Sequence, residues 1–107
     1  MRGAVIGVVS LALYAASAAW ALAGETVQVK ISDLAFSPAE ITARVGDTIQ
    51  WVNGDFVDHT ATAKGGEWDV MIVAGKQAEQ QLTRAGTIDY FCRFHPGMTG
   101  KITVLAE

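Results

Sequence analysis

One cysteine in 107 residues rules out an intramolecular disulfide. No glycine-rich loop is present to cradle a phosphate, and no set of residues resembles a nucleophile triad. No basic stripe is interleaved with aromatics, which argues against nucleic acid as a partner. Helical periodicity is missing as well. From residue 26 onward the apolar positions recur every second residue, with no internal repeat, linker or low-complexity tract. Only one long apolar run exists, and it stands at the beginning.

That run extends from Ala4 to Ala23 without a charge. Arg2 supplies a minimal positive region before it, and Ala21-Leu22-Ala23 forms a small-x-small cleavage pattern. Residues 1–23 therefore read as an export signal to the periplasm, with residues 24–107 as one mature domain. A retained anchor is the rival, since the run matches the ~20 residues that cross a bilayer. The cleavage pattern favours removal.

The mature part carries seven Lys and Arg (eight less Arg2) against eleven Asp and Glu, a net charge of −4. Such a surface repels nucleic acid and favours basic partners. A domain this small needs good strand packing, a metal or a disulfide, and the disulfide is excluded. A lone thiol in an exported protein must pair outside the chain, stay open to oxidation, or be used. The third option directs attention to Cys92.

Period-two segments mark the strands. Val27, Val29 and Ile31 alternate with polar neighbours; Ile49, Trp51 and Asn53 share a face; His59, Ala61 and Ala63 share another. Trp68–Val73, "AEQQLT", "TIDYFC" and "GKITVLA" follow, separated by Gly, Pro, Asn or Asp. Seven to eight short strands predict an all-β, antiparallel Greek-key β-sandwich.

The chemistry concentrates in "YFCRFHPGMTGK", where Cys92, His95 and Met98 are spaced three apart. Alternation puts Ile88, Tyr90 and Cys92 on the inner face, and His59 shares a crowded interior face with Ala61 and Ala63. His95 and Met98 follow in a loop bent by Pro96 and Gly97. Each residue alone has a plain explanation: a small buried hydrophobe, a hydrogen-bonded histidine, a gap-filling methionine. Together, two imidazoles, a thiolate and a nearby thioether are the set for a trigonal copper site with a weak axial methionine. Asp55, Asp58, Glu67 and Asp69 read as solvated loop carboxylates, Arg93 as solvated, and Trp51 as core. Phe56 and Val57, with Phe94, Pro96 and the Met98 loop, read either as a docking patch or as simple packing.

The stretches "FSPAEITARVGDTIQWVNGD", "DHT" and "AGTIDYFCRFHPGMTGKITV" resemble the cupredoxins, the small blue copper proteins, over about residues 27 to 105. The short C-x-x-H-x-x-M loop is most similar to the amicyanin type. The resemblance implies one type 1 copper with His59, Cys92 and His95 as equatorial ligands and Met98 as the axial one. It also implies electron passage through the exposed edge of His95, within an apolar patch that docks redox partners. Three positions depart from the pattern. Phe94 stands where amicyanin-like loops carry proline, Gly97 where they carry a bulky aromatic, and Thr60 where many cupredoxins place asparagine after the first histidine.

The resulting expectation is a monomeric periplasmic electron carrier, not an enzyme. It would cycle Cu(II)/Cu(I) between partner proteins such as a dehydrogenase and a cytochrome, with no small-molecule substrate. A copper carriage or storage module is the first alternative. A small redox enzyme with an open copper position and a zinc-holding structural sandwich come after it.

Overall fold

The computed structural model describes residues 24–106; the export-signal expectation for 1–23 lies outside them. Alternation of apolar and polar residues builds the strands. In β1 (Thr26–Ser32), Val29 and Ile31 are buried while Gln28, Lys30 and Ser32 face solvent. β4 (Thr48–Asn53) points Ile49, Trp51 and Asn53 inward, and β8 (Gly86–Cys92) does the same with Ile88, Tyr90 and Cys92. The remaining strands are β2 (Ala35–Ser37), β3 (Glu40–Arg44), β5 (His59–Ala63), β6 (Asp69–Ile72), β7 (Gln77–Gln81) and β9 (His95–Leu105).

They form two packed sheets, β2-β1-β4-β7 and β3-β9-β8-β5-β6. Among the described residues, only β1–β2, β5–β6 and β8–β9 are hairpins; every other connection passes from one sheet to the other. The all-β sandwich is as expected, but two details differ. The described residues hold nine strands, because the three-residue β2 inserts Phe36 into the core. The sheets are also mixed: β1 runs parallel to β4, and β3 parallel to β9. A two-residue turn forces an antiparallel neighbour, whereas a strand returning after a crossover has no such constraint.

Trp51 and Tyr90, both fully buried, meet edge-on at 5.2 Å, and Phe36 lies edge-on to each at 5.9 and 4.8 Å. Trp68 packs beside this group rather than within it. Each large buried side chain contributes on the order of 1.5–3 kcal/mol. Trp51 Nε1 donates to Gln80 Oε1 at 3.1 Å, which ties the polar outer strand β7 to the core. Tyr90 lies directly over Gly100, its partner on β9, and a Cβ there would collide with the phenol ring. The Tyr90 hydroxyl has no partner among the described residues, and burial raises its pKa.

Candidate metal centre

β5 begins with His59 and β8 ends with Cys92. The two strands are antiparallel neighbours, with Thr62 opposite Phe91 and Ala63 opposite Tyr90. Antiparallel pairing therefore brings the start of one to the end of the other, and both side chains are completely buried. Cys92 also pairs with His95 across a two-residue turn, Arg93–Phe94, with an irregularity between Phe91 and Cys92. The spacing C-x-x-H is thus a hairpin: the third residue after the cysteine lies opposite it. His95 and Met98 belong to β9, not to the loop expected from Pro96 and Gly97. Pro96 and Gly97 are exposed, and Met98 turns back inside at 4% exposure.

Cys92 Sγ lies 3.7 Å from His59 Nδ1 and 3.7 Å from His95 Nδ1. The donor atoms of all three residues fall within 4.8 Å of one another. A first-row metal about 2.0 Å from each nitrogen and about 2.3 Å from sulfur needs N···S separations of about 3.7 Å at trigonal angles, or about 3.5 Å at tetrahedral ones. The observed pair of distances lies close to what such a metal requires. An N₂S donor set with a buried thioether three residues along suits copper chemically.

The cysteine is readily ionised. Burial pushes its thiol up, but the Thr60 N–H, the two imidazoles and the Phe94 N–H overcome that and bring its pKa down to about 6. The Thr60 N–H donates to Sγ at 3.3 Å. Thr60, which stands where asparagine was anticipated, makes the tie through its backbone, while its hydroxyl accepts the Arg93 N–H at 2.9 Å.

Asp55 was read from the sequence as a solvated loop carboxylate; the structure corrects this. Its Oδ2 lies 2.8 Å from His59 Nε2. A carboxylate can only accept, so Nε2 carries a hydrogen, and Nδ1 is the nitrogen left facing Cys92. Asp55 is held in turn by the N–H groups of Asp33 and Leu34, at 2.8 and 3.1 Å. These two residues form the β1–β2 turn, with φ of 54° and 59°, the conformation that suits a two-residue hairpin. The Leu34 N–H is the largest influence holding the carboxyl below its usual range; burial opposes it, and His59 and the Asp33 N–H add to it. Below lies buried Asn53, which donates to Val57 O and Ile72 O and accepts the Asp55 N–H. A carboxylate four residues before an inward histidine, just after an Asn-Gly turn, was the signal available in the sequence.

The other acids do not join the cluster. Asp58 accepts the Ala74 N–H, and Asp69 pairs with Arg93 at 3.1 Å, so Arg93 is partnered rather than simply solvated. Phe56 is fully exposed, and Leu34, Val57, Val73 and Phe94 are each about half exposed. A cleft of about 250 Å³ is lined by Glu67, Trp68, Leu82, Arg84 and Ile88, among others. None of the three donors lines it.

Residues 3–104 match the family model of the cupredoxin-like domain. The chain is 31% identical to amicyanin of Paracoccus versutus over 86 residues, 75% of this chain and 65% of that one. It therefore spans just under two thirds of that relative's length. It is also 33% identical to the copper-resistant cuproprotein CopI of Rubrivivax gelatinosus, covering 78% of this chain and 68% of that one. The crystal structure of Paracoccus versutus amicyanin superposes with a TM-score of 0.65 at 35% identity, covering 74% of this chain and 80% of that one. Fold, donor cluster and sequence agree, and the chain belongs to the cupredoxin-like family.

Proposed function

We propose that the protein is a periplasmic electron carrier in which His59, Cys92 and His95 would hold one type 1 copper, with Met98 as a weak fourth donor. Copper bound there supplies a one-electron Cu(II)/Cu(I) couple. The observation that carries the reading is the convergence of two imidazole nitrogens on one thiolate at equal distances of 3.7 Å.

The chain's own residues do the remaining work. A thiol with a pKa of about 6 is largely ionised at neutral pH, and the thiolate is the form that binds a metal. Asp55 fixes the His59 tautomer and ring orientation, as outer partners of metal-binding histidines do. Burial of His59 and Cys92 keeps water from the thiolate. Donors already in place need little rearrangement when an electron arrives or leaves. His95 is only partly buried, and its exposed edge is the proposed route for electrons. Phe56, Val57 and Phe94 are exposed apolar residues suited to brief contact with a redox partner. The reading includes export by residues 1–23, a monomer, separate donor and acceptor proteins such as a dehydrogenase and a cytochrome, and no substrate of its own.

The similarity to CopI favours a second reading, copper carriage by the same residues. One experiment addresses both. Residues 24–107 are titrated with Cu(II), bleached with ascorbate and reoxidised while the visible spectrum is followed. An intense blue band that vanishes and returns, with fast electron self-exchange, supports the carrier. A colourless copper-holding protein, or one that surrenders Cu(I) readily to a chelator, overturns it in favour of carriage.

A further inference from the structure

A closed circuit of hydrogen bonds runs from the residue after Cys92 back to the same residue. The Arg93 N–H donates to Thr60 Oγ1 at 2.9 Å. Thr60 Oγ1 lies 2.9 Å from Thr62 Oγ1, and Thr62 Oγ1 lies 2.7 Å from Asp69 Oδ1. Arg93 Nε returns to that same Oδ1 at 3.1 Å.

The donor inventory allows one arrangement of protons. A carboxylate only accepts, so the single hydroxyl hydrogen of Thr62 goes to Asp69. The Thr62 oxygen then receives the hydrogen of Thr60, and the Thr60 oxygen receives the Arg93 N–H. Each hydroxyl gives once and receives once, with none to spare. Thr60 is fully buried, where an unmatched hydroxyl is costly. The Thr62 hydroxyl first, and the Arg93 guanidinium second, hold the Asp69 carboxyl below its usual range, which keeps the circuit's acceptor ionised.

Thr60 joins this circuit to the metal cluster. Its hydroxyl anchors the peptide after Cys92, while its own N–H lies 3.3 Å from Cys92 Sγ. We propose that Asp69, acting through Thr62 and Thr60, is a positioning residue that holds the Thr60 N–H on the Cys92 sulfur and so sets the redox balance of the site. This rests on the copper reading given above. A thiolate that accepts a hydrogen bond donates less charge to the metal, which favours Cu(I). The exposed Asp69–Arg93 pair is too weak to act alone; the threonine relay carries the effect.

The test compares Asp69→Ala, Thr62→Val, Thr62→Ser and Arg93→Gln with the parent chain. Each is loaded with copper and equilibrated in one redox buffer, and amide exchange is followed in the metal-free forms. Asp69→Ala and Thr62→Val are expected to raise the Cu(II):Cu(I) ratio about fivefold, the equivalent of one net hydrogen bond, and to speed exchange of the Thr60 amide by a similar factor. Thr62→Ser, which keeps the hydroxyl, stays within about twofold of the parent, and Arg93→Gln shifts less than Asp69→Ala. A blue parent whose Thr62→Val variant matches it in ratio and exchange overturns the proposal. So does a variant with altered thermal unfolding but an unchanged ratio, which marks a merely structural role. A parent that shows no blue band defeats the copper reading instead, and the Thr60 exchange rates still judge the circuit.

Discussion

His59 and His95 bring the same ring nitrogen to the same sulfur at the same distance, yet their surroundings have little in common. His59 is fully buried at the start of β5, and its far nitrogen is gripped by Asp55. Asp55 is in turn fixed by two turn amides and by Asn53. His95 stands partly exposed beyond a two-residue turn, and no protein partner for its Nε2 is found among the described residues. One side of the centre is built to hold geometry, the other to leave an edge open. Fixing one histidine lets the other serve the surface without loosening the cluster.

Cys92→Ser removes the atom that both histidines face and tests the comparison at its root. It should abolish any blue band on copper addition. It should also change the pH dependence of the metal-free protein. The thiol is depressed from 9.0 to about 6 in the folded state, so its stabilising contribution is fully present above 9.0 and is lost as pH falls through about 6. Urea unfolding across that range should show the loss in the parent and not in Cys92→Ser.

Asp55→Ala removes the grip on His59, together with the acceptor of the Asp33 and Leu34 N–H groups, and leaves His95 untouched. Copper affinity should fall by roughly 10- to 100-fold, as for other outer partners of metal ligands, measured by competition with a chelator. An unchanged affinity would mean that β5 packing fixes His59 unaided. Phe94→Ala is the matching change on the open side. Stability should stay within about 0.5 kcal/mol and the visible spectrum should not move, while electron transfer to a partner protein slows. If Phe94→Ala weakens copper binding as much as Asp55→Ala, the division between a held side and an open side fails.

The strands that carry the cluster were legible because period-two alternation fixes which side chains turn inward. That argument places Cys92 with Tyr90 and His59 with Ala61 and Ala63, and the structure agrees. The parallel pairings were not legible, since they join strands from distant parts of the chain. β2 was missed because one buried residue, Phe36, is too short a pattern to count as alternation. The stretch around Pro96 and Gly97, expected as a loop, belongs to β9, which begins at His95 opposite Cys92, five residues before the strand expected from Gly100. Asp55 escaped notice because its role depends on the amides of Asp33 and Leu34, more than twenty residues earlier, and composition cannot reveal that convergence.

The tip of the first hairpin serves the centre through its backbone alone. Asp33 and Leu34 contribute N–H groups, and the Leu34 side chain projects into solvent. Their side-chain chemistry is therefore free to drift across a library of variants, but their shape is not. Glycine, asparagine and aspartate enter left-handed backbone easily, β-branched residues do not, and proline deletes the donor outright. In a selection for copper binding alone, a surface turn with no metal-binding atom of its own would be filtered as though it were part of the centre.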